Sequence, residues 1–350
     1  MISPRAGTCC ALIPDEAPAF NLQDHESLRN NGTDINPDLQ QLRWVVYEVV
    51  FPVLVTIGVL ANLLNLLVLS RPPMKGAFYR YLNHLAISDL LYLTLNIPFC
   101  LKEFAQVSHQ HSVSRASAIY YAYIGIPVVN FFLSMSEYIV VWLSYDRCLA
   151  VCNPQKFTAK QRLRVVRIRT VTTFFFTIFV YSLSPLRQTY HCEGSKCFVV
   201  DNAIIEKAWY KGYESIREVY SRFLPAIVIT VYNAAIIVKL KHMKKARGGP
   251  DVITEARQER ERRLICLLLA ITVFFYISAF PSAIYKILMF SDKFHFIPYF
   301  RAVADMLEVS GHVFNFFLYF LFCSDYRKVL VSFMSNQQPN TFVSSSAGNL

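Results

Sequence analysis

The chain has 350 residues; 54% are hydrophobic and only 17% are charged, with 35 Lys and Arg against 24 Asp and Glu and a formal net charge of +11. Charge this sparse, with 28 Phe and 20 Tyr, excludes an ordinary soluble domain. The basic excess falls in short stretches between apolar runs, which is the pattern of a multi-span membrane protein and not of a nucleic-acid groove.

Residues 1–43 are polar and read as a tail. No apolar core follows Arg5, so a cleavable signal is not expected and the first span would act as the anchor. Asn31-Gly32-Thr33 is a glycosylation sequon if the tail lies outside the cell. Seven apolar runs follow, each long enough to cross a bilayer. They are expected near 44–69, 81–101, 117–149, 165–184, 218–240, 264–289 and 298–322.

Several spans carry polar groups. Asn62 is in span one. Asp89 is in span two, where a lone carboxylate costs about 2.5–3.5 kcal/mol on insertion scales unless paired. Asn130, Ser134 and Glu137 share one face of span three. Span seven carries Asp305, Glu308, His312, Asn315 and Tyr319 at steps of three and four, again one face. Pro98, Pro225 and Pro281 interrupt spans two, five and six.

Basic residues set the orientation. Arg71, Lys75 and Arg80, then 156–169, then 239–263 follow spans one, three and five, so these loops and the C-terminus are expected in the cytoplasm. The 44–323 bundle would be followed by a tail, 324–350, that opens as a short amphipathic eighth helix.

The order Gly58-Val59-Leu60-Ala61-Asn62, Leu85-Ala86-Ile87-Ser88-Asp89-Leu90, Asp146-Arg147-Cys148, Pro225, Ser278-Ala279-Phe280-Pro281 and Asn315-Phe316-Phe317-Leu318-Tyr319 resembles rhodopsin-like G-protein-coupled receptors across all seven spans. Cys148 stands where the family usually has Tyr, and the usual proline after Asn315 is lost. Within the family, the sequence resembles invertebrate FMRFamide-type and myosuppressin-type neuropeptide receptors. The resemblance implies an all-α seven-helix bundle in the plasma membrane. It also implies an extracellular, amidated peptide ligand and a heterotrimeric G protein, with arrestin on the Ser-rich tail and lipid on the basic loops. It implies an activation switch at Asp146, Arg147, Pro281, Asn315 and Tyr319, with Glu261 either pairing with Arg147 or standing as one solvated charge.

In relatives, the counterpart of Asp89 can hold sodium. Here Asn62, Ser136, His312 and Asn315 are expected around it, with His312 facing the carboxylate either as a protonated stand-in for the ion or as a neutral core histidine.

Glu103, Asn130, Asp305, Glu308 and Tyr285 are the candidate ligand contacts: acids for a ligand arginine, rings and an amide for its aromatic, amidated end. The same acids could instead meet water or Arg217, Arg222 and Arg301. Val129 and Val309 replace the aspartate of amine receptors and the lysine of opsins, against a monoamine or a retinal Schiff base. Cys192 and Cys197 could bond each other, or one could reach Cys9, Cys10 or Cys100. Cys323 is a candidate for palmitoylation or a bare thiol. No phosphate loop, metal-spaced cluster or nucleophile with its base is present, so neither an enzyme nor a cofactor or metal is expected. The alternatives are a small-molecule chemoreceptor of the same fold and a secondary transporter, although no repeated halves are evident.

Overall fold

The computed structural model describes residues 41–42, 44–107, 113–153, 155, 159–246, 252–288 and 297–335; the sequon at Asn31 and the side chains of Glu103 and Glu261 lie outside the described residues. A transmembrane backbone must satisfy its own hydrogen bonds, and these apolar runs do so as helices. They are α1 (Phe51–Leu69), α2 (Ala77–Val107), α3 (Ile126–Cys152), α4 (Ala159–Tyr181), α5 (Leu224–Ala246), α6 (Val252–Leu288), α7 (Ile297–Val313, continuing beyond Phe314 as Asn315–Phe322) and α8 (Ser324–Met334).

Five described stretches are long and apolar enough to cross a bilayer: Trp44–Leu69, Ala77–Leu101, Arg115–Cys152, Ala208–His242 and Arg262–Tyr285. Two further helices complete the bundle. α4 opens with Arg164, Arg167 and Arg169, which dilute its apolar length, and α7 is broken at Phe314 into runs of 17 and 8 residues.

The bundle buries polar side chains among its apolar core and turns large apolar ones outward. Asn62, Asp89, Ser134 and Thr177 are wholly buried, whereas Phe179 is 72% exposed, Phe175 65% and Leu60 63%. Hydrocarbon, not water, is the solvent that makes such a surface stable. α1 approaches its neighbours through Gly58, where a Cβ would stand 2.7 Å from Leu93 and 2.8 Å from Val313. A large cluster including Leu82, Leu143, Ile236, Leu267 and Tyr319 fills the end of the bundle that carries Asp146. A smaller one with Val55, Leu93, Leu133 and Val309 lies towards the other end.

At that other end three helices begin with π-helical turns, Trp44–Val50, Tyr120–Gly125 and Val219–Phe223. A two-stranded hairpin, β1 (Gln188–Glu193) and β2 (Lys196–Asp201), lies there as well. Gly194 turns the hairpin at φ 63°, a region open to glycine without strain. Cys192 and Cys197 face each other in register and form a disulfide. Cys100 is buried.

The hairpin is tied to the chain before α3 through the backbone, where Val113 N–H donates to Cys197 O at 2.9 Å and Cys197 N–H to Val113 O at 3.0 Å, and through Tyr123, which meets Thr189 and Tyr190 of β1. Burial pushes the Asp201 carboxyl at the foot of β2 up from its ordinary pKa, against the pull of Arg187 and Gln188.

Candidate ligand and activation sites

Asp89 on α2 is the hub of the interior. Ser136 Oγ from α3 donates to its Oδ1 at 2.5 Å, His312 Nδ1 from α7 lies 2.7 Å from the same oxygen, and Asn315 Nδ2 donates to Oδ2 at 2.6 Å. Because a carboxylate only accepts, His312 carries its proton on Nδ1. The imidazole also packs on Tyr92, with ring centroids 4.3 Å apart.

Among the described residues, no hydrogen bond joins Asn62 to Asp89. The Asn62 amide donates to the His312 and Gly58 carbonyls, each at 3.0 Å. Asn65 continues the network, reaching Asn62 at 3.4 Å and accepting from Tyr326 of α8 at 2.8 Å. One polar chain therefore runs from the centre of the bundle to the eighth helix. Two of the donors around Asp89 meet its Oδ1 and one meets Oδ2.

At the Asp146 end the structure assigns a partner that the sequence did not suggest. Arg169 of α4 donates to Asp146 Oδ1 at 2.6 Å and to the Tyr81 hydroxyl at 3.2 Å, and its guanidinium lies over Trp142 (4.9 Å) and Tyr145 (4.7 Å). Arg147 lies over Phe78 at 4.6 Å. The signal for Arg169 was available: it falls inside the expected fourth span, where a charge needs a partner. Tyr319 is wholly buried against Tyr326, and Pro281 lies within α6. Cys323 is buried, its sulfur 4.0 Å from the Tyr79 hydroxyl, so in this conformation an acyl donor cannot reach the thiol.

At the hairpin end the acids are engaged by arginines, one of the two readings that the sequence left open. Both terminal nitrogens of Arg222 donate to Glu308, at 3.2 and 3.1 Å, and its Nε donates to Glu218 at 3.3 Å. Glu218 also takes Arg217 at 3.1 Å, Arg217 lies 3.6 Å from Glu214, and Glu214 binds Arg187. The reason is elementary. Arg217 and Arg222 are buried, and a buried cation needs a counter-ion.

Asp305 accepts from Tyr47 at 2.8 Å and has Arg301 at 3.7 Å, with about a third of its side chain still exposed. Arg301 also stands 5.9 Å over Tyr285. The Asn130 amide donates to its own helix, at Ile126 O. Glu137 is buried and lines, with Glu308, His312 and Asn315, a cavity between α3, α6 and α7.

The family model described as 7 transmembrane receptor (rhodopsin family) matches residues 61–319. The chain is 24% identical to Probable G-protein coupled receptor AH9.1 of Caenorhabditis elegans, over 87% of this chain and 79% of that one. It is 24% identical to the FMRFamide peptide receptor frpr-18 of the same organism, over 81% of this chain and 68% of the relative. Against neurotensin receptor type 1 of Mus musculus the identity is 22%, over 87% and 78%. Seven helices around a buried aspartate, with Asp-Arg at one end and a family match over residues 61–319, make this chain a member of the rhodopsin family of seven-transmembrane, G-protein-coupled receptors.

Proposed function

We propose that the chain is a receptor for an extracellular amidated neuropeptide of FMRFamide-like chemistry and that it activates a heterotrimeric G protein. Family membership makes it a multi-pass protein of the plasma membrane. The observation that carries the ligand reading is the gathering of Asp305, Glu308, Glu218 and Glu214 at the hairpin end of the bundle. The rings of Tyr47 and Tyr285 stand beside Asp305 and Arg301. A guanidinium pairs with such acids most strongly where water is scarce. The names of similar receptors, for FMRFamide peptide and neurotensin, support a peptide.

The disulfide-bonded hairpin suits the oxidising outer side, and the Arg- and Lys-rich loops suit the cytoplasm, where the G protein and anionic lipids lie. The Ser-rich tail offers phosphorylation sites for arrestin. Self-pairing of the acids favours a second reading, a chemoreceptor for small neutral ligands, because it lowers the charge left to meet a peptide.

A panel of amidated peptides applied to cells expressing the chain, with calcium and cyclic-AMP readouts, separates the two. A response to peptides ending in Arg-Phe-amide is expected. Silence to the whole panel, with a response to neutral odorants, contradicts the peptide reading.

A further inference from the structure

We propose that Arg80 and Arg167, side by side where α2 and α4 enter the membrane, form a site for the phosphomonoester headgroup of an inner-leaflet lipid, whose acyl chains lie along the groove between the two helices. The proposal goes beyond the peptide reading. It takes from that reading only the orientation that puts the basic loops in the cytoplasm.

Two contacts fix how the helices sit against each other. The Arg169 guanidinium donates to the Tyr81 hydroxyl at 3.2 Å, and His84 Nδ1 lies 3.0 Å from Thr170 Oγ1. The Thr170 hydroxyl already donates to Val166 O at 3.0 Å, so its oxygen accepts from the imidazole. Arg80 stands one turn before His84 on α2, and Arg167 one turn before Thr170 on α4. On the proposed orientation both helices start in the cytoplasm. The two arginines therefore share one depth, on the cytoplasmic side of the same contact. Both guanidinium groups are close enough to act on the charge of the His84 ring.

The charge gathered there is unbalanced. Arg80, Arg167 and, one turn earlier on α4, Arg164 are exposed. Among the described residues, none of the three has an acidic partner. Arg169 differs: it turns into the bundle and holds Asp146. Cations this near repel, and an anion between them relieves the repulsion. Each guanidinium offers a fork that fits two oxygens of one phosphate. A phosphomonoester carries about two negative charges and so matches two arginines.

The surroundings select a lipid. The apolar runs of spans two and four begin near residues 81 and 165, so both arginines stand at the edge of the hydrocarbon. Outward from them, Ile87 and Leu91 continue the face of Arg80 and His84, and Val171 and Phe174 continue that of Arg167, all at steps of three and four. These four apolar side chains are exposed. A headgroup seated on the arginines lays its chains along them. A soluble phosphate makes no use of that surface, and a protein in the cytoplasm does not reach it. The lipid would also tie α2 to the helix whose Arg169 holds Asp146.

The test follows thermal unfolding of the purified receptor in neutral detergent during titration with phosphatidic acid. Phosphatidylcholine and glycerol phosphate are the comparisons, the first a lipid without the monoester and the second the monoester without chains. Phosphatidic acid is expected to raise the midpoint saturably and the other two to leave it in place. Arg80→Gln/Arg167→Gln is expected to need about tenfold or more phosphatidic acid for the same shift. Lys239→Gln/Lys241→Gln removes the same charge from the exposed end of α5 and is expected to respond as the unmutated receptor does. If the first double variant does not fold, Arg80→Lys/Arg167→Lys, which keeps the charge and loses the forks, is expected to show a smaller loss in the same direction.

An unchanged lipid response in the arginine variants, or an equal loss in the lysine control, overturns the site. An equal shift with glycerol phosphate overturns the lipid. Arginine variants that keep the lipid response but lose nucleotide exchange on a G protein assign this surface to the G protein and overturn the proposal. A receptor with the full lipid response that is silent to every amidated peptide keeps the site and loses the peptide function.

Discussion

Replacing Arg169 by Met is expected to lower the stability of the receptor by about 3–5 kcal/mol, the usual consequence of leaving one member of a buried ion pair without the other. The Asp146 side chain is 3% exposed and that of Arg169 17%, so water compensates little. The variant also loses the Tyr81 hydrogen bond and the contacts over Trp142 and Tyr145, which are smaller effects. Thermal unfolding of detergent-solubilised receptor reads the change. The double variant Arg169→Met/Asp146→Asn is expected to recover most of the loss, because the buried carboxylate charge is removed together with its arginine. A single variant within about 1 kcal/mol of the unmutated protein would show that Arg169 is not the counter-ion of Asp146.

A comparable loss is expected at the hub. Asp89→Leu leaves the Ser136 hydroxyl, the His312 Nδ1–H and the Asn315 amide without their acceptor in a wholly buried place. Each stranded donor costs about 1–3 kcal/mol. The same geometry predicts the response to sodium. His312 meets one oxygen of the carboxylate, so replacing sodium chloride by choline chloride is expected to leave agonist affinity unchanged in the unmutated receptor. Strong sodium inhibition of agonist binding would contradict it.

The elements differ in how far their residues revealed them. The stripe Asp305, Glu308, His312, Asn315 and Tyr319 could be read directly, because helical spacing fixes which side chains share a face, and His312 and Asn315 do meet Asp89. Helix ends were harder. The fourth span was expected from 165 and begins at Ala159, and the sixth was expected from 264 and begins at Val252. Both extensions are rich in Arg, Lys, Gln and Glu, which hydropathy treats as loop but which are good helix formers once a span nucleates them.

Partner choice was the least legible. Arg222 and Arg169 pair across the bundle with residues 86 and 23 positions away, and no local pattern encodes such a meeting. What the sequence carries is the requirement for a partner, since an arginine inside a span must find an acid. The burial of Cys323 likewise follows from how α8 folds back on Tyr79, a tertiary contact with no sequence period.

On the proposed reading, the acidic hairpin end of this receptor binds a cationic, amidated peptide. The most direct measurement compares Phe-Met-Arg-Phe-amide with the analogue in which citrulline replaces its arginine, as drivers of nucleotide exchange on a G protein by the purified receptor. Citrulline keeps the shape and removes the charge. A charged hydrogen bond contributes about 1.5–3 kcal/mol, so the analogue is expected to be at least about tenfold weaker, and Asp305→Gln is expected to narrow that gap. Equal potency of the two peptides, or no exchange with either, would contradict the account.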